Sequence, residues 1–147
     1  MAPDESARFL ALLEEHKRIL YKVSSIYCSD LEDRRDLAQE IVIQLWRSFP
    51  RYDDRYRYST WMYRIGMNVA ISFLRSERRR DRDTVALDQV DVIDFAAADR
   101  VMGEAGDDLR LLQQLVSRLD ELSRALILLY LEGYSHAEIA EILCISV

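Results

Sequence analysis

The chain has 147 residues, of which half are apolar, and a net charge of -6. This length suits one domain or two small helical ones, and 4 Gly with 2 Pro leave little material for a turn-dense β architecture. No apolar run approaches the about 20 residues that cross a bilayer, and the acidic start, MAPDESARFL, is unlike a secretory signal. Cys28 and Cys144 form no CxxC pair, which indicates reduced thiols. We therefore expect a cytoplasmic, all-α protein.

The charge is distributed unevenly along the chain. Residues 1–80 carry 15 basic and 12 acidic side chains, residues 81–106 carry 2 and 7, and residues 107–147 carry 3 and 7. Within residues 51–80 the counts are 8 basic and 3 acidic. Such a local basic field on an acidic chain is compatible with nucleic-acid binding.

Apolar residues at three- and four-residue spacing predict a first helix from about Ser6 to Cys28. His16 lies on or beside its apolar stripe, where a lone histidine is more often packed than a metal ligand. The tetrapeptide SDLE then predicts a capping box between Ser29 and Glu32, which opens a second helix. That helix should end near Ser48, because Pro50 follows.

The second helix has a buried face and a mostly polar one. The polar face contains seven side chains: Asp36, Gln39, Glu40, Ile43, Gln44, Trp46 and Arg47. Ile43 and Trp46 project near each other from it, as anchors of a protein interface do. They fit packing against another element of the domain equally well.

The loop after Pro50 and the helix after it alternate aromatic and basic residues. The helix should begin with Ser59 or Thr60 as N-cap and continue to about Arg79. Its apolar positions predict one buried side, beside which a second stripe combines a ring, cations and small polar groups: Trp61, Arg64, Asn68, Ser72 and Arg75. Guanidinium groups pair with phosphates and rings stack on unpaired bases, so this stripe favours single-stranded nucleic acid over a merely solvated face.

The remaining chain divides into a linker and a second helical segment. Residues 81–106 show no sustained hydrophobic period and predict an acidic linker, which either mimics nucleic acid in a partner's basic channel or is a solvated tether. Residues 107–147 predict three short helices, with Gly133 ending the second and a capping box from Ser135 to Glu138 opening the third. Apolar packing in that third helix should come from Ala137, Ile139, Ala140, Ile142 and Leu143. A tight turn around residues 144–146 would complete the first half of a helix-turn-helix.

Motifs of enzymes and cofactor sites are absent from the sequence. It contains no HExxH, no Gly-rich phosphate loop, no nucleophile elbow and no paired-cysteine metal site. We therefore expect a binding protein rather than an enzyme, with no cofactor and no metal.

Two stretches resemble a known family. DLAQEIVIQLWRSFPRYD followed by STWMYRIGMNVAISFLRSERRR resembles region 2 of sigma-70-family initiation factors of the extracytoplasmic-function group, and GYSHAEIAEILCIS resembles the start of their region 4 helix-turn-helix. The resemblance implies a region 2-like domain over residues 1–80, a linker over 81–106 and a region 4-like domain over 107–147. It also implies binding to core RNA polymerase, to promoter DNA and to an anti-sigma protein.

The same resemblance assigns roles to residues. The seven side chains on the polar face of the second helix would bind the clamp helices of the largest polymerase subunit. The opened non-template strand of the promoter -10 element would bind seven others: Tyr56, Tyr58, Trp61, Arg64, Asn68, Ser72 and Arg75.

The sequence departs from the family at several positions. Family members usually have Gly at position 144, Pro at position 120, and Asp or a similar polar residue at position 72, where this chain has Cys, Asp and Ser. The basic recognition helix expected after Val147 is missing, so reading of a -35 element is not carried over. Two other functions remain open: a helix-turn-helix regulator that acts without polymerase, and a helical protein-protein adaptor.

Overall fold

The computed structural model describes residues 3–76 and 107–144. Its helices are α1 (Pro3–Glu15), α2 (Lys17–Tyr27), α3 (Leu31–Ser48), α4 (Tyr58–Arg75), α5 (Asp107–Ser117), α6 (Glu121–Leu131) and α7 (His136–Leu143), and a 3-10 turn covers Phe49–Arg51. The described ranges contain no strand, and the predicted all-α class is confirmed. The predicted linker lies outside the described residues.

Helices α1–α4 form the N-terminal module, in which α2, α3 and α4 all pack against one another. Apolar side chains at three- and four-residue spacing meet along these contacts and are almost fully buried: Leu20, Val23, Leu37, Ile41, Leu45, Met62 and Met67. This core holds α3 and α4 side by side, so the polar faces of the two helices lie on the same module.

The first predicted helix is divided at His16. His16 has φ -110° and ψ 17°, which ends α1, and its backbone N–H still donates to the Leu12 carbonyl at 3.0 Å. Its Nδ1 atom also lies 3.0 Å from Leu12 O, and its ring is packed 4.8 Å from that of Tyr58. The histidine is thus a packed residue at a bend, and the prediction of one continuous helix was wrong.

Two predicted helix starts were shifted. Asp30, not Ser29, is the N-cap of α3, because its carboxylate accepts from the backbone N–H of Asp33 at 3.3 Å. Helix α4 begins at Tyr58 with Arg57 in the N-cap position, and Arg57 makes no side-chain cap. The predicted end of α3 at Ser48 is confirmed, whereas α4 ends at Arg75, before the predicted Arg79.

Helices α5–α7 form the C-terminal module, in which most of the predicted helix caps and helix ends are present. The Ser135–Glu138 capping box is present, with both hydrogen bonds made, and Gly133 follows α6 at φ 90°. Cys144 ends α7 in the left-handed region, at φ 57°. Ala137 is exposed rather than packed, since the N-terminal turn of α7 faces solvent at that position.

The two modules pack against each other across α2 and α4. Helices α5 and α6 contact α2, while α6 and α7 contact α4. The Tyr27 hydroxyl donates to the Glu121 carbonyl at 2.6 Å, and the Lys22 ammonium lies 2.6 Å from the Glu132 carboxylate. Buried side chains of both modules form one continuous apolar cluster.

Candidate nucleic-acid interface

A cluster of aromatic rings surrounds the start of α4. Pro50 lies in the 3-10 turn that begins at Phe49, and this turn brings Phe49 and Tyr52 against the first turn of α4. The Tyr52 ring centroid lies 4.9 Å from that of Trp61 and 5.7 Å from that of Tyr58. Phe49 lies 6.1 Å from both Tyr52 and Trp61. These rings form a packed platform on one side of α4.

The loop at residues 52–57, hereafter the aromatic loop, carries an exposed ring and several charges. Tyr56 is 56% exposed, and its carbonyl accepts from the Tyr52 hydroxyl at 2.8 Å. Arg55 lies 2.8 Å from Asp53, and this guanidinium holds the pKa of the Asp53 carboxyl below its usual range. The loop therefore presents a ring for stacking, while its two aspartates are held by arginines.

The structure places four of the five stripe residues of α4 on the surface in one row. Arg64, Asn68, Ser72 and Arg75 are exposed, and Trp61 is half-buried against the aromatic cluster. One guanidinium nitrogen of Arg64 lies 3.4 Å from Cys144 Sγ, so the end of α7 borders this row. The row combines cations with an amide and a hydroxyl, which suits contact with phosphates and base edges.

Tyr58, predicted to contact DNA, is buried. Its side chain is 6% exposed and lies between the rings of His16 and Tyr52. Burial raises the pKa of its hydroxyl, which stays protonated at neutral pH. In this arrangement Tyr58 supports Tyr52 and Trp61 from beneath and cannot itself stack on a base.

On α3, the seven residues of the predicted polymerase surface fall into two groups. Asp36, Trp46 and Arg47 are exposed, while the other four are half-buried: Gln39, Glu40, Ile43 and Gln44. Trp46 is 38% exposed, and its ring packs edge-on against Phe9 at 5.1 Å. One edge of Trp46 therefore packs within the module, while the rest of the ring faces outward; its role as an interface anchor stays a prediction.

The predicted polymerase and DNA residues meet in a groove between α3 and α4. Glu40, Gln44 and Ser48 line one wall, and Asn68, Ser72 and Ser76 line the other. Ile65, Val69 and Phe73 form an apolar floor, and the volume is about 400 Å³. The two predicted surfaces are thus contiguous, which the sequence did not indicate.

Some contacts of this region were missed by sequence reasoning. Arg8 lies 2.6 Å from Asp54, and Phe9 packs between Trp46 and Phe49. The apolar stripe of the first helix includes Phe9, but no sequence signal specifies its partners, which are about 40 positions away along the chain. Among the residues that the structure describes, no cluster of three potential metal ligands occurs, and no helix is long and apolar enough to span a membrane.

Comparison with known families identifies the family of this chain. The sigma-70 region 2 profile matches residues 12–80, and the sigma-70 region 4 profile matches residues 109–147. This chain belongs to the sigma-70 family. Its relatives place it in the extracytoplasmic-function group, whose members are initiation factors that direct RNA polymerase to promoters.

Two relatives from Bacillus subtilis illustrate the similarity of this sigma factor to the group. It is 28% identical to the ECF RNA polymerase sigma factor SigW, covering 95% of this chain and 79% of SigW. It is also 28% identical to SigX, covering 94% of this chain and 73% of SigX. A solved structure of CnrH in complex with the cytosolic domain of CnrY has the same fold, with a TM-score of 0.57 and 20% identity, covering 96% of this chain and 76% of CnrH.

Proposed function

We propose that this sigma factor binds core RNA polymerase through α3 and binds the opened -10 element through α4 and the aromatic loop. It acts by binding, without catalysis, in the cytoplasm, where it would find the polymerase. The observation that carries the proposal is the contiguity of two unlike surfaces on one module. The α3 residues and the α4 stripe share a groove, so a strand bound along α4 would lie beside the polymerase contact.

On the polymerase side, Trp46 is the anchor. A tryptophan that is 38% exposed and already held edge-on by Phe9 loses little side-chain freedom on binding. The apolar Ile43 would pack beside it, and the polar residues around them would form the rim of the contact: Asp36, Gln39, Glu40, Gln44 and Arg47.

On the DNA side, the residues take separate roles. Tyr56 and Trp61 would stack on unpaired bases, and each stacked base contributes about 1–3 kcal/mol. Arg64 and Arg75 would pair with phosphates, while Asn68 and Ser72 would contact base edges. Tyr58 would act indirectly, by supporting the platform.

A pull-down of core RNA polymerase tests the polymerase surface. We expect the wild type to retain polymerase and the triple variant Gln39→Ala, Glu40→Ala, Trp46→Ala to lose it. The control is Glu32→Ala with Arg35→Ala, which changes two exposed residues on the same helix outside the proposed surface. Equal retention by the triple variant and the control would disprove the assignment of α3.

Capture of single-stranded DNA tests the other surface. The probe is a fluorescent strand selected from a randomised pool by the wild-type holoenzyme. Tyr56→Ala should weaken its binding by about 1–3 kcal/mol, whereas Tyr130→Ala, at a 65% exposed ring on α6, should not. Loss of affinity in both variants would show that any exposed ring matters equally and would count against the aromatic loop.

The same sequence, offered as a single strand and as a duplex, separates the two competing functions. A helix-turn-helix regulator would bind the duplex without polymerase, and an adaptor would bind neither the strand nor the duplex. The proposed function requires strand binding that depends on polymerase.

We also propose an anti-sigma partner for the C-terminal module. Its helices expose apolar side chains that a partner would cover, among them Leu111, Leu115, Leu122, Leu126 and Tyr130. The complex between CnrH and the cytosolic domain of CnrY supports this by analogy of fold. Co-purification of this chain with the product of a neighbouring gene would test it, with Leu122→Ser and Leu126→Ser as disruptive changes.

A further inference from the structure

Helix α1 contacts the aromatic loop through Arg8. Arg8 Nη2 lies 2.6 Å from Asp54 Oδ1, and the Arg8 guanidinium carbon lies 5.7 Å from the centroid of the Phe49 ring. Arg8 precedes the region 2 match, which begins at residue 12. The contact therefore joins a segment outside the family match to the loop that carries Tyr56.

Phe9 makes a second link, this time through the core. Its side chain is 1% exposed and meets two rings edge-on, that of Trp46 at 5.1 Å and that of Phe49 at 5.3 Å. Phe49 in turn packs against Tyr52 and Trp61. An unbroken series of ring contacts thus runs from the anchor of the polymerase surface to the platform of the DNA surface.

Other polar contacts of the aromatic loop are local. Arg55 binds Asp53 within the loop, through both its backbone N–H and its side chain, and Tyr52 donates to the Tyr56 carbonyl. These contacts shape the loop but do not link it to α1. The bond from Arg8 to Asp54 joins residues 46 positions apart and makes that link.

We propose that Arg8 and Phe9 are positioning residues for promoter opening. They hold the aromatic loop where Tyr56 stacks on an unpaired base, and Phe9 ties that position to Trp46. This inference rests on the proposed function and adds to it a role for α1.

The sign of the effect at Asp54 distinguishes positioning from direct contact with DNA. Asp54 is an exposed carboxylate beside a surface that binds phosphates, so electrostatics alone predicts tighter strand binding when its charge is removed. If Arg8 contacted a phosphate directly, removal of the Asp54 charge would free the Arg8 guanidinium for that phosphate and would likewise tighten strand binding. Positioning predicts the opposite, because the loop loses its attachment.

The first test measures strand capture by holoenzyme at fixed salt, with the strand selected by the wild type as the probe. Asp54→Asn and Arg8→Gln should each weaken binding by about two- to fivefold, the range that an exposed ion pair supports. The exchange of both charges, Arg8→Asp with Asp54→Arg, should restore most of the loss. Lys17→Gln is the matched control, since Lys17 and Glu14 form an equally short exposed pair at 2.6 Å away from the loop.

A second test addresses Phe9. Phe9→Leu keeps an apolar side chain but removes both edge-on contacts, and it should weaken strand capture by about two- to tenfold. Leu13→Val is the control for general destabilisation, because Leu13 is also buried on α1. Polymerase retention, measured in parallel, should change less than strand capture in Phe9→Leu.

Specific results would overturn the inference. Unchanged or tighter strand binding by Asp54→Asn would exclude positioning by the ion pair, and equal effects of Phe9→Leu and Leu13→Val would exclude a specific role for the ring. Failure of the wild-type holoenzyme to bind any strand would instead overturn the proposed function. The two failures are therefore distinguishable.

Discussion

At the scale of single residues, two buried tyrosines differ by one hydrogen bond. Tyr27 is 3% exposed and donates to the Glu121 carbonyl, whereas the hydroxyl of Tyr63, 2% exposed, has no partner among the described residues. We expect Tyr27→Phe to lower the free energy of unfolding by about 1 kcal/mol, and Tyr63→Phe to leave it unchanged or raise it. Urea denaturation of both variants would check this. Equal losses would show that Tyr63 also makes a stabilising polar contact.

Cys144 provides a second test at this scale. Its φ of 57° lies in the left-handed region, which favours glycine, and family members usually have Gly at this position. Cys144→Gly should raise the free energy of unfolding by up to about 1 kcal/mol, because the strain of a side chain there is removed. Cys144→Ser retains the β-carbon and is the control in thermal unfolding. A gain in the Ser variant as large as that in the Gly variant would point to the thiol rather than the backbone.

At the scale of helices, α6 is capped by an aspartate where the family usually has Pro. The Asp120 carboxylate accepts from the Ser123 backbone N–H at 2.8 Å, and this bond lowers the pKa of Asp120 below its ordinary 3.8. A group whose pKa is lower in the folded state stabilises the protein above its ordinary pKa and loses that effect as the pH falls. The cap should therefore act at neutral pH and weaken below about pH 4.

Asp120→Asn isolates this titration, because Asn is also a good N-cap but carries no acidic proton. We expect the variant to lose less stability than the wild type when thermal unfolding is followed from pH 6 to about pH 3. Asp120→Ala, which removes the cap, should be less stable than both at neutral pH. Parallel pH profiles for wild type and Asn variant would contradict a role for the charge.

At the scale of the whole molecule, Arg124 connects the modules. Its guanidinium donates to the carbonyls of Tyr27 at 3.2 Å and Ser117 at 2.6 Å, and its Nε–H donates to the Leu119 carbonyl at 3.0 Å. These carbonyls lie at or just beyond the ends of α2 and α5, where helix carbonyls lack partners within the helix. Arg124 also lies 5.9 Å from the Tyr27 ring centroid. One side chain thus joins three helices.

Replacement of Arg124 should weaken the docking of the modules. Arg124→Met keeps much of the side-chain length but removes the donors, and it should cost about 2–3 kcal/mol in urea denaturation. Arg124→Lys should recover only part of this, because a single ammonium cannot reach carbonyls in several directions. Full recovery by Lys would show that charge alone, rather than the forked geometry, holds the interface.

Much of the secondary structure could be predicted, because its signals act over a few residues. Pro50 marks the end of α3, and the Ser135–Glu138 box starts α7. Two N-caps were predicted wrongly: Ser29 instead of Asp30 for α3, and Ser59 or Thr60 instead of Arg57 for α4. Because α4 starts earlier than predicted, Tyr58 belongs to the helix and its ring is buried in the core. Burial of this ring stabilises the earlier start more than a hydroxyl cap at Ser59 would stabilise the later one.

The sequence by itself determined the all-α class, the family and the two helices that carry the candidate surfaces. Its periodicity decides which residues share a helix face, and its motifs decide the resemblance. Only the tertiary structure decided that Tyr58 is buried, that Gln44 and Ser72 line the same groove and that Arg8 contacts Asp54. The physical reason is distance along the chain: a cap or a helical stripe is specified by neighbouring residues, whereas these contacts depend on how separate helices pack.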